Sequence, residues 1–340
     1  MILSCGNLII KDNYSINTVT LGSSTSGTIS DCQIESLKIN ASTLSFTNVD
    51  IGDLEAKLGN SSSIDLKSGS IDKMTVSGSP TKFDLIKTTI SEIEWAQLHC
   101  PPNSYMLSVN VLAYWQIRDS DLHNLTISNC NFSKMKLLVE NTDLSNTHFD
   151  AVNWPNRAFI QDNRQKDGFP KKDRNSIQYK NAITNENIRT QHLYRQLKHS
   201  AEKDNDKINY QKFKAFELDR YMRTLVLFSK DQCAEKVALS FGRYTNFFGL
   251  WWFRPLILYF LFSFVLFYFV SGFNIVFFSE SPCNSLESDF MRFLNPTHDM
   301  NDFEFVNTGK ASVIFLDYLT RIIQGLMAYQ VIRGFRKPFF

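Results

Sequence analysis

The sequence lacks the short motifs by which many enzymes are recognised. It contains no GxxxxGKS or GxxxxGKT, no HExxH, no GxSxG and no GxGxxG, and the potassium-filter sequence TVGYG is also absent. None of the six cysteines forms a CxxC pair, and no cysteine or histidine cluster has metal-ligand spacing. We therefore expect no enzymatic activity, no metal site and no cofactor.

The N-terminus also lacks a secretory signal. Residues 1–11 are apolar only from Leu8 to Ile10, which is too short for a signal-peptide core. Cys32 and Cys130 fall where the repeat described below requires a small buried residue, so we expect them to be reduced core residues. Both observations predict a cytoplasmic N-terminal half.

The formal net charge of +2 conceals an uneven distribution. The net charge is about −6 before residue 156, about +8 between 156 and 245, and about zero after that. A basic block beside apolar segments favours the anionic cytoplasmic leaflet of a membrane. A solvated helical surface would carry the same charges, so both interpretations stay open.

The strongest signal in the first half is an apolar residue at every fifth position. A helix would rotate such residues off one face, and a flat strand would turn alternate ones to the opposite side. A square coil of short strands fits, because each side takes five residues and directs one large residue inward. The positions are Ile29, Ile34, Ile39, Leu44, Val49, Leu54, Ile64 and Met74, then Leu85, Ile90 and Trp95, then Leu107, Leu112, Ile117, Leu122, Ile127, Phe132 and Leu137, and, after a slip of two residues, Val139, Leu144, Phe149 and Trp154.

The residue two places before each large one also points inward and must be small. The positions that obey this rule are Cys32, Ser42, Thr47, Cys130, Thr142, Thr147 and Val152. The clearest repeats are CNFSK at 130–134, TDLSN at 142–146 and THFDA at 147–151. They resemble the pentapeptide-repeat family, although the earlier coils depart from its pattern at Leu37 and Lys57. The resemblance implies a right-handed quadrilateral β-helix with a hydrophobic interior over roughly residues 20–155, inside a domain 1–155.

The middle of the chain is basic and then helical. Residues 156–186 show no clear periodicity and are interpreted as a linker. The segment 187–250 predicts an α-helical hairpin, with a turn at residues 204–206, and a juxtamembrane helix. The stretch 192–221 resembles one that precedes the last hydrophobic pair of bacterial membrane proteins. Joining the solenoid to a membrane is the expected role of this hairpin, and partner binding is the alternative.

Two apolar segments in the region 251–340 predict a transmembrane hairpin. The first helix is expected at about 253–278, where no charge occurs from Pro255 to Phe278, and Trp251 and Trp252 fit an interfacial belt. The second is expected at about 311–332, although it contains Asp317, Arg321, Gln324 and Gln330. An amphipathic helix lying in the interface is the alternative for this second segment.

Charges around these segments predict their orientation. Basic residues follow the second segment, whereas the loop 279–310 is acidic and includes Asp299, Asp302 and Glu304. Lysine and arginine collect on the cytoplasmic side of a membrane. Both termini are therefore expected in the cytoplasm, at a bacterial inner membrane, with the acidic loop outside.

The second segment carries a polar helical face. Asp317 and Arg321 lie four residues apart, and Gln324 and Ala328 continue the same face. An unpaired charge in a bilayer is costly, so several copies are expected to turn this face toward a shared axis. The face then lines a pore or an oligomer seam, in a homo-oligomer for which a tetramer is favoured. An ion pair within one helix, acting only in packing, is the alternative.

These observations predict an oligomeric, channel-like membrane protein whose cytoplasmic β-helix senses or gates. A bacterial membrane effector opened during phage infection has this layout. The expected partners are the lipid bilayer, further copies of the chain, and either a regulatory protein or a gating ligand such as a nucleotide or oligonucleotide. The alternative is a membrane-anchored scaffold whose solenoid recruits a protein partner.

Overall fold

The structure of the protein is a computed structural model. It describes residues 2–11, 15–40, 43–160, 176–226, 229, 232–251, 253–270, 290–291, 293–295, 297 and 311–335, with the backbone alone at some of these positions. The chain divides into two compact units, Met1–Thr224 and Leu225–Phe340. Among the described residues, the first unit contains a β-solenoid and two long helices, and the second contains three long helices.

The solenoid consists of parallel strands that stack into about seven turns. Every strand pair in the sheet is parallel, as expected when a coil returns to the same side one turn later. This confirms the predicted repeat solenoid. The strands are β1 (Ile2–Ile10), β2 (Ser15–Asn40), β3 (Thr43–Leu58), β4 (Ser63–Gly78), β5 (Lys82–Leu98), β6 (Ser104–Leu107), β7 (Asn110–Arg118), β8 (Leu125–Ser128), β9 (Lys136–Glu140) and β10 (His148–Asp150).

Stacked apolar columns fill the solenoid. One column runs through the strand register as Ile29, Phe46, Leu66, Leu85, Met106, Ile127 and Phe149, all buried. A second set is aromatic, with edge contacts at ring-centroid distances of 4.9–5.5 Å, and comprises Phe83, Trp95, Trp115, Phe132 and Trp154. Such contacts add to the stabilisation from burial because ring edges meet ring faces.

The length of a coil is not constant. Ile29 pairs with Phe46, 17 residues on, whereas Thr126 pairs with His148, 22 residues on. Most of the predicted inward positions are buried. Leu112, one of the large apolar residues, is 38% exposed, and Thr47, one of the small residues, is exposed. These two assignments were wrong. At Leu112 the β5–β7 register shifts between Ile90 and Glu92, and the extra residue of the bulge turns this side chain outward.

A single column of left-handed residues forms one corner of the solenoid. The φ angles of this column are all positive, at 49–66°, for Asp31, Asn48, Ser68, Lys87, Ser108, Asn129 and Ala151. Asn48 Nδ2 donates to Asp31 Oδ1 of the neighbouring coil at 2.8 Å. Short polar side chains suit such corners because they tolerate this conformation and bond locally.

Two helices complete the first unit. Helix α1 (Ile177–Lys203) begins where Ser176 Oγ accepts from the Tyr179 amide at 3.1 Å, so helix replaces the last part of the expected linker 156–186. Helix α2 (Lys207–Thr224) runs back after a turn at residues 204–206. The two helices pack against each other and form the hairpin.

The second unit contains α3 (Cys233–Asn246), α4 (Phe253–Val270) and α5 (Ala311–Phe335). Among the residues described, no helix is long and apolar enough to cross a membrane. The predicted pair of transmembrane helices is therefore wrong as part of the fold. The described residues of α4 number 18 and rise about 27 Å, against roughly 30 Å of hydrocarbon. Helix α5 is longer, but polar side chains interrupt its apolar run.

Candidate functional site

Helices α4 and α5 form a pair whose polar side chains lie inside. Gln324 on α5 is 1% exposed, and its Nε2 donates to Ser263 Oγ on α4 at 3.0 Å and to the Phe293 carbonyl at 2.9 Å. Ser263 and Thr320 are fully buried. The Gln324 side chain therefore cross-links three segments of one chain, and its Oε1 has no hydrogen-bond partner among the described residues.

A second polar contact fixes α3 against α5. Asn246, at the end of α3, donates from Nδ2 to Gln330 Oε1. Its own Oδ1 accepts from the Gly249 amide at 2.8 Å. Asn246 is 1% exposed and Gln330 is 8% exposed. Buried amides of this kind are stable only when paired, so both residues hold the α3–α4 turn in place.

The outer surface of helices α4 and α5 is apolar. Phe315 is 69% exposed, Ile322 61% and Phe264 60%. The other large apolar side chains exposed there are Phe253, Ile257, Phe260, Leu261, Phe262 and Val265 on α4 and Tyr318, Leu319, Leu326, Tyr329 and Ile332 on α5. This set, with the three residues above, is named the outer apolar surface. Large apolar side chains exposed in this number on two adjacent helices favour a contact with another molecule.

The first unit has its own functional feature, a cap on the last coil of the solenoid. The Tyr194 hydroxyl accepts from the backbone amides of Phe159 and Ile160 at 3.0 and 3.2 Å. Burial raises the pKa of Tyr194 to about 12. Ser200 Oγ donates to the Thr147 carbonyl at 2.7 Å. The hairpin thus satisfies polar backbone groups that a solenoid end would otherwise leave open.

Charged residues of the hairpin complete this cap. Asp204 Oδ2 accepts from the Phe149 amide at 3.1 Å, and Lys212 Nζ donates to the Trp154 carbonyl at 2.9 Å. Burial lowers the pKa of Lys212. Ring contacts extend the aromatic set into the hairpin, because Phe213 meets Trp154 at 5.4 Å. The hairpin is therefore part of the solenoid's core and not only a connection.

An ion-pair cluster stabilises the hairpin itself. Glu217 on α2 accepts from Lys198 Nζ at 2.6 Å and from Arg195 Nε at 2.8 Å. Burial alone would raise the pKa of Glu217. The hydrogen bonds from Lys198 and Arg195, together with their positive charges, lower it by more, so the pKa of Glu217 lies below its usual value. The carboxylate is therefore held charged between the helices.

Four of the seven residues predicted to form a site have side chains outside the described part of the chain. They are Asp299, Asp302 and Glu304 of the loop, and Asp317, of which only the backbone in α5 is described. Arg321 is half-buried, with its guanidinium 5.9 Å from the Tyr318 ring centroid. Ala328 is half-buried and Gln324 is buried inside the pair. The pore or seam assignment stays a prediction.

Sequence reasoning missed the partners of these side chains. Asn246 and Ser263 bond to residues 84 and 61 positions away, and Tyr194 bonds to amides about 35 positions away. No local pattern encodes contacts at this separation. The available signal was a polar residue, Ser263, inside the most apolar helix.

No family model, no curated protein and no solved structure matches this chain. Neither the solenoid nor the helices can take a function from a relative.

Proposed function

We propose that the protein is a lipid-associated scaffold. Its outer apolar surface lies against lipid acyl chains at a membrane, and its solenoid recruits a protein partner. The observation that carries this proposal is the inverted polarity of the α4–α5 pair, with Ser263, Thr320 and Gln324 inside and large apolar side chains outside.

Burial of the outer apolar surface against another molecule is favourable in free energy. Full burial of a large apolar side chain contributes roughly 1.5–3 kcal/mol, so covering the half-exposed side chains of both helices contributes on the order of 10 kcal/mol. Lipid acyl chains are an apolar cover that matches the chemistry of this surface. The proposed location is a bacterial inner membrane, on its cytoplasmic side.

The solenoid is proposed to be of the pentapeptide-repeat type. Two observations support this assignment in the last coils: the buried pairs Thr147/Phe149 and Val152/Trp154 follow each other at a spacing of five, and each pairs a smaller with a larger residue. The outward residues are polar, and the net charge before residue 156 is negative. A partner with a basic surface is therefore proposed.

The channel-like alternative stays a prediction, together with its tetramer and its gating ligand. It placed Gln324 on a face shared between copies, whereas this side chain bonds within its own chain. That observation favours the scaffold.

Flotation with liposomes tests the lipid association. The full-length protein is expected to float with vesicles, and Leu261→Asp with Phe264→Asp is expected to reduce the floating fraction at least tenfold, because two charges would enter an apolar phase. Leu112→Asp with Tyr105→Asp is the matched control, since both residues are exposed on the solenoid. A wild type that stays at the bottom as a defined oligomer would contradict the proposal and indicate that further copies cover the surface.

A further inference from the structure

A shallow apolar groove lies beside the first turn of α4. Its volume is about 590 Å³, and its walls are Leu250, Trp251, Phe253, Arg254, Ile257 and Leu258. Trp251 is 60% exposed and Phe253 is 55% exposed at its rim. The groove continues into the outer apolar surface, because Ile257 and Leu261 are neighbours one helical turn apart.

One cation stands in this apolar environment. Arg254 is exposed, and its guanidinium has no ion pair and no hydrogen bond to any residue that the structure describes. Lys236, another cation of the second unit, donates instead to the Leu225 carbonyl at 2.6 Å. An unpaired guanidinium presents a planar set of donors that matches the oxygens of a phosphate.

The apolar groove and the Arg254 guanidinium together indicate the chemical class of the ligand. An apolar groove with a single cation at its rim is complementary to an anionic amphiphile and not to a free anion, which would leave the groove empty. An exposed indole beside the cation is typical of the region where lipid headgroups meet acyl chains.

We propose that this groove binds one anionic phospholipid. The phosphate lies on Arg254, and an acyl chain lies along Ile257 and Leu258, beside the Trp251 ring. The proposal rests on the lipid association proposed above and adds to it a headgroup preference and a defined seat.

Vesicle binding of the full-length protein tests this site. The vesicles contain phosphatidylcholine alone or phosphatidylcholine with phosphatidylglycerol, and some lipids carry bromine on their acyl chains to quench nearby tryptophan. The wild type is expected to bind anionic vesicles more tightly and to lose tryptophan fluorescence there, since Trp251 lies at the groove. Arg254→Ala is expected to weaken binding to anionic vesicles about fivefold, the contribution of one cation near a charged surface, and to reduce the quenching.

The controls separate a built site from general charge attraction. Arg243→Ala removes the same charge from α3 and is expected to keep the quenching. Ile257→Ser is expected to reduce the quenching of tryptophan fluorescence. Val265→Ser, outside the groove, is expected to leave the quenching unchanged. Equal effects of Arg254→Ala and Arg243→Ala would overturn the site, as would full displacement of the lipid by inorganic phosphate. If the wild type binds both kinds of vesicle equally, only the headgroup site fails; if it binds neither, the lipid association itself fails.

Discussion

The cap on the solenoid allows a prediction from a single hydroxyl group. Tyr194 is fully buried, and its hydroxyl is the acceptor for two backbone amides, those of Phe159 and Ile160. Its ring packs on Phe159 at 5.7 Å and on Phe216 at 5.2 Å. Tyr194→Phe keeps these ring contacts and removes only the acceptor.

The expected cost follows from the two amides. Each buried donor without a partner costs roughly 1–3 kcal/mol, so we expect Tyr194→Phe, which leaves two such donors, to lower the free energy of unfolding of the first unit by about 2–6 kcal/mol. Hydrogen exchange at the amides of Phe159 and Ile160 should accelerate, because their closed state loses its acceptor.

Urea unfolding followed by tryptophan fluorescence measures this change, with Tyr210→Phe as the matched control. Tyr210 is on α2 and half-buried, with Lys214 near its ring, so its hydroxyl should contribute less than about 0.5 kcal/mol. Equal stabilities of the two variants would refute the role of the cap.

Alkaline pH provides a second readout of the same hydroxyl. Folding raises the pKa of Tyr194 from its usual value of about 10 to about 12, so the folded state holds this proton more tightly. The corresponding stabilisation is complete below pH 10 and disappears as the pH rises through 12. The stability gap between wild type and Tyr194→Phe should narrow over that range, and a constant gap would contradict the assignment.

Two further predictions concern the interiors of the units. Phe149→Asp places a charge beside Trp154, since the Phe149 ring lies 5.1 Å from the Trp154 ring, and should destabilise the solenoid by several kcal/mol. Ser133→Asp, at an exposed position, is the control and should change urea unfolding little. Equal destabilisation by the two substitutions would reject the inward assignment of Phe149. Gln324→Leu should lower the free energy of unfolding of the second unit in detergent by about 1–3 kcal/mol and leave the oligomer size unchanged. A smaller oligomer would support a seam shared between copies.

The core of the solenoid could be predicted from sequence because the signal is local. Ile29, Ile34 and Ile39 each occupy one inward position per side, and all three are buried. The resemblance at residues 142–151 extended this spacing to the last coils. The failure at Leu112 arose because a constant spacing does not allow for the extra residue of β7 at this point. The exposure of Thr47 has no such explanation, since the β2–β3 register is constant there.

The error in the second unit has a different physical origin. An apolar composition predicts that a segment avoids water, but it does not fix the length of the helix or the side on which polar residues lie. The four-residue spacing of Asp317, Arg321, Gln324 and Ala328 suggested a face shared between copies. The structure gives Gln324 two acceptors on its own chain. Both donors of this buried amide are therefore used within the chain, and its Oε1 alone has no hydrogen-bond partner among the described residues. Because the amide is 1% exposed, a second molecule reaches the outer apolar surface of this unit more readily than its polar interior.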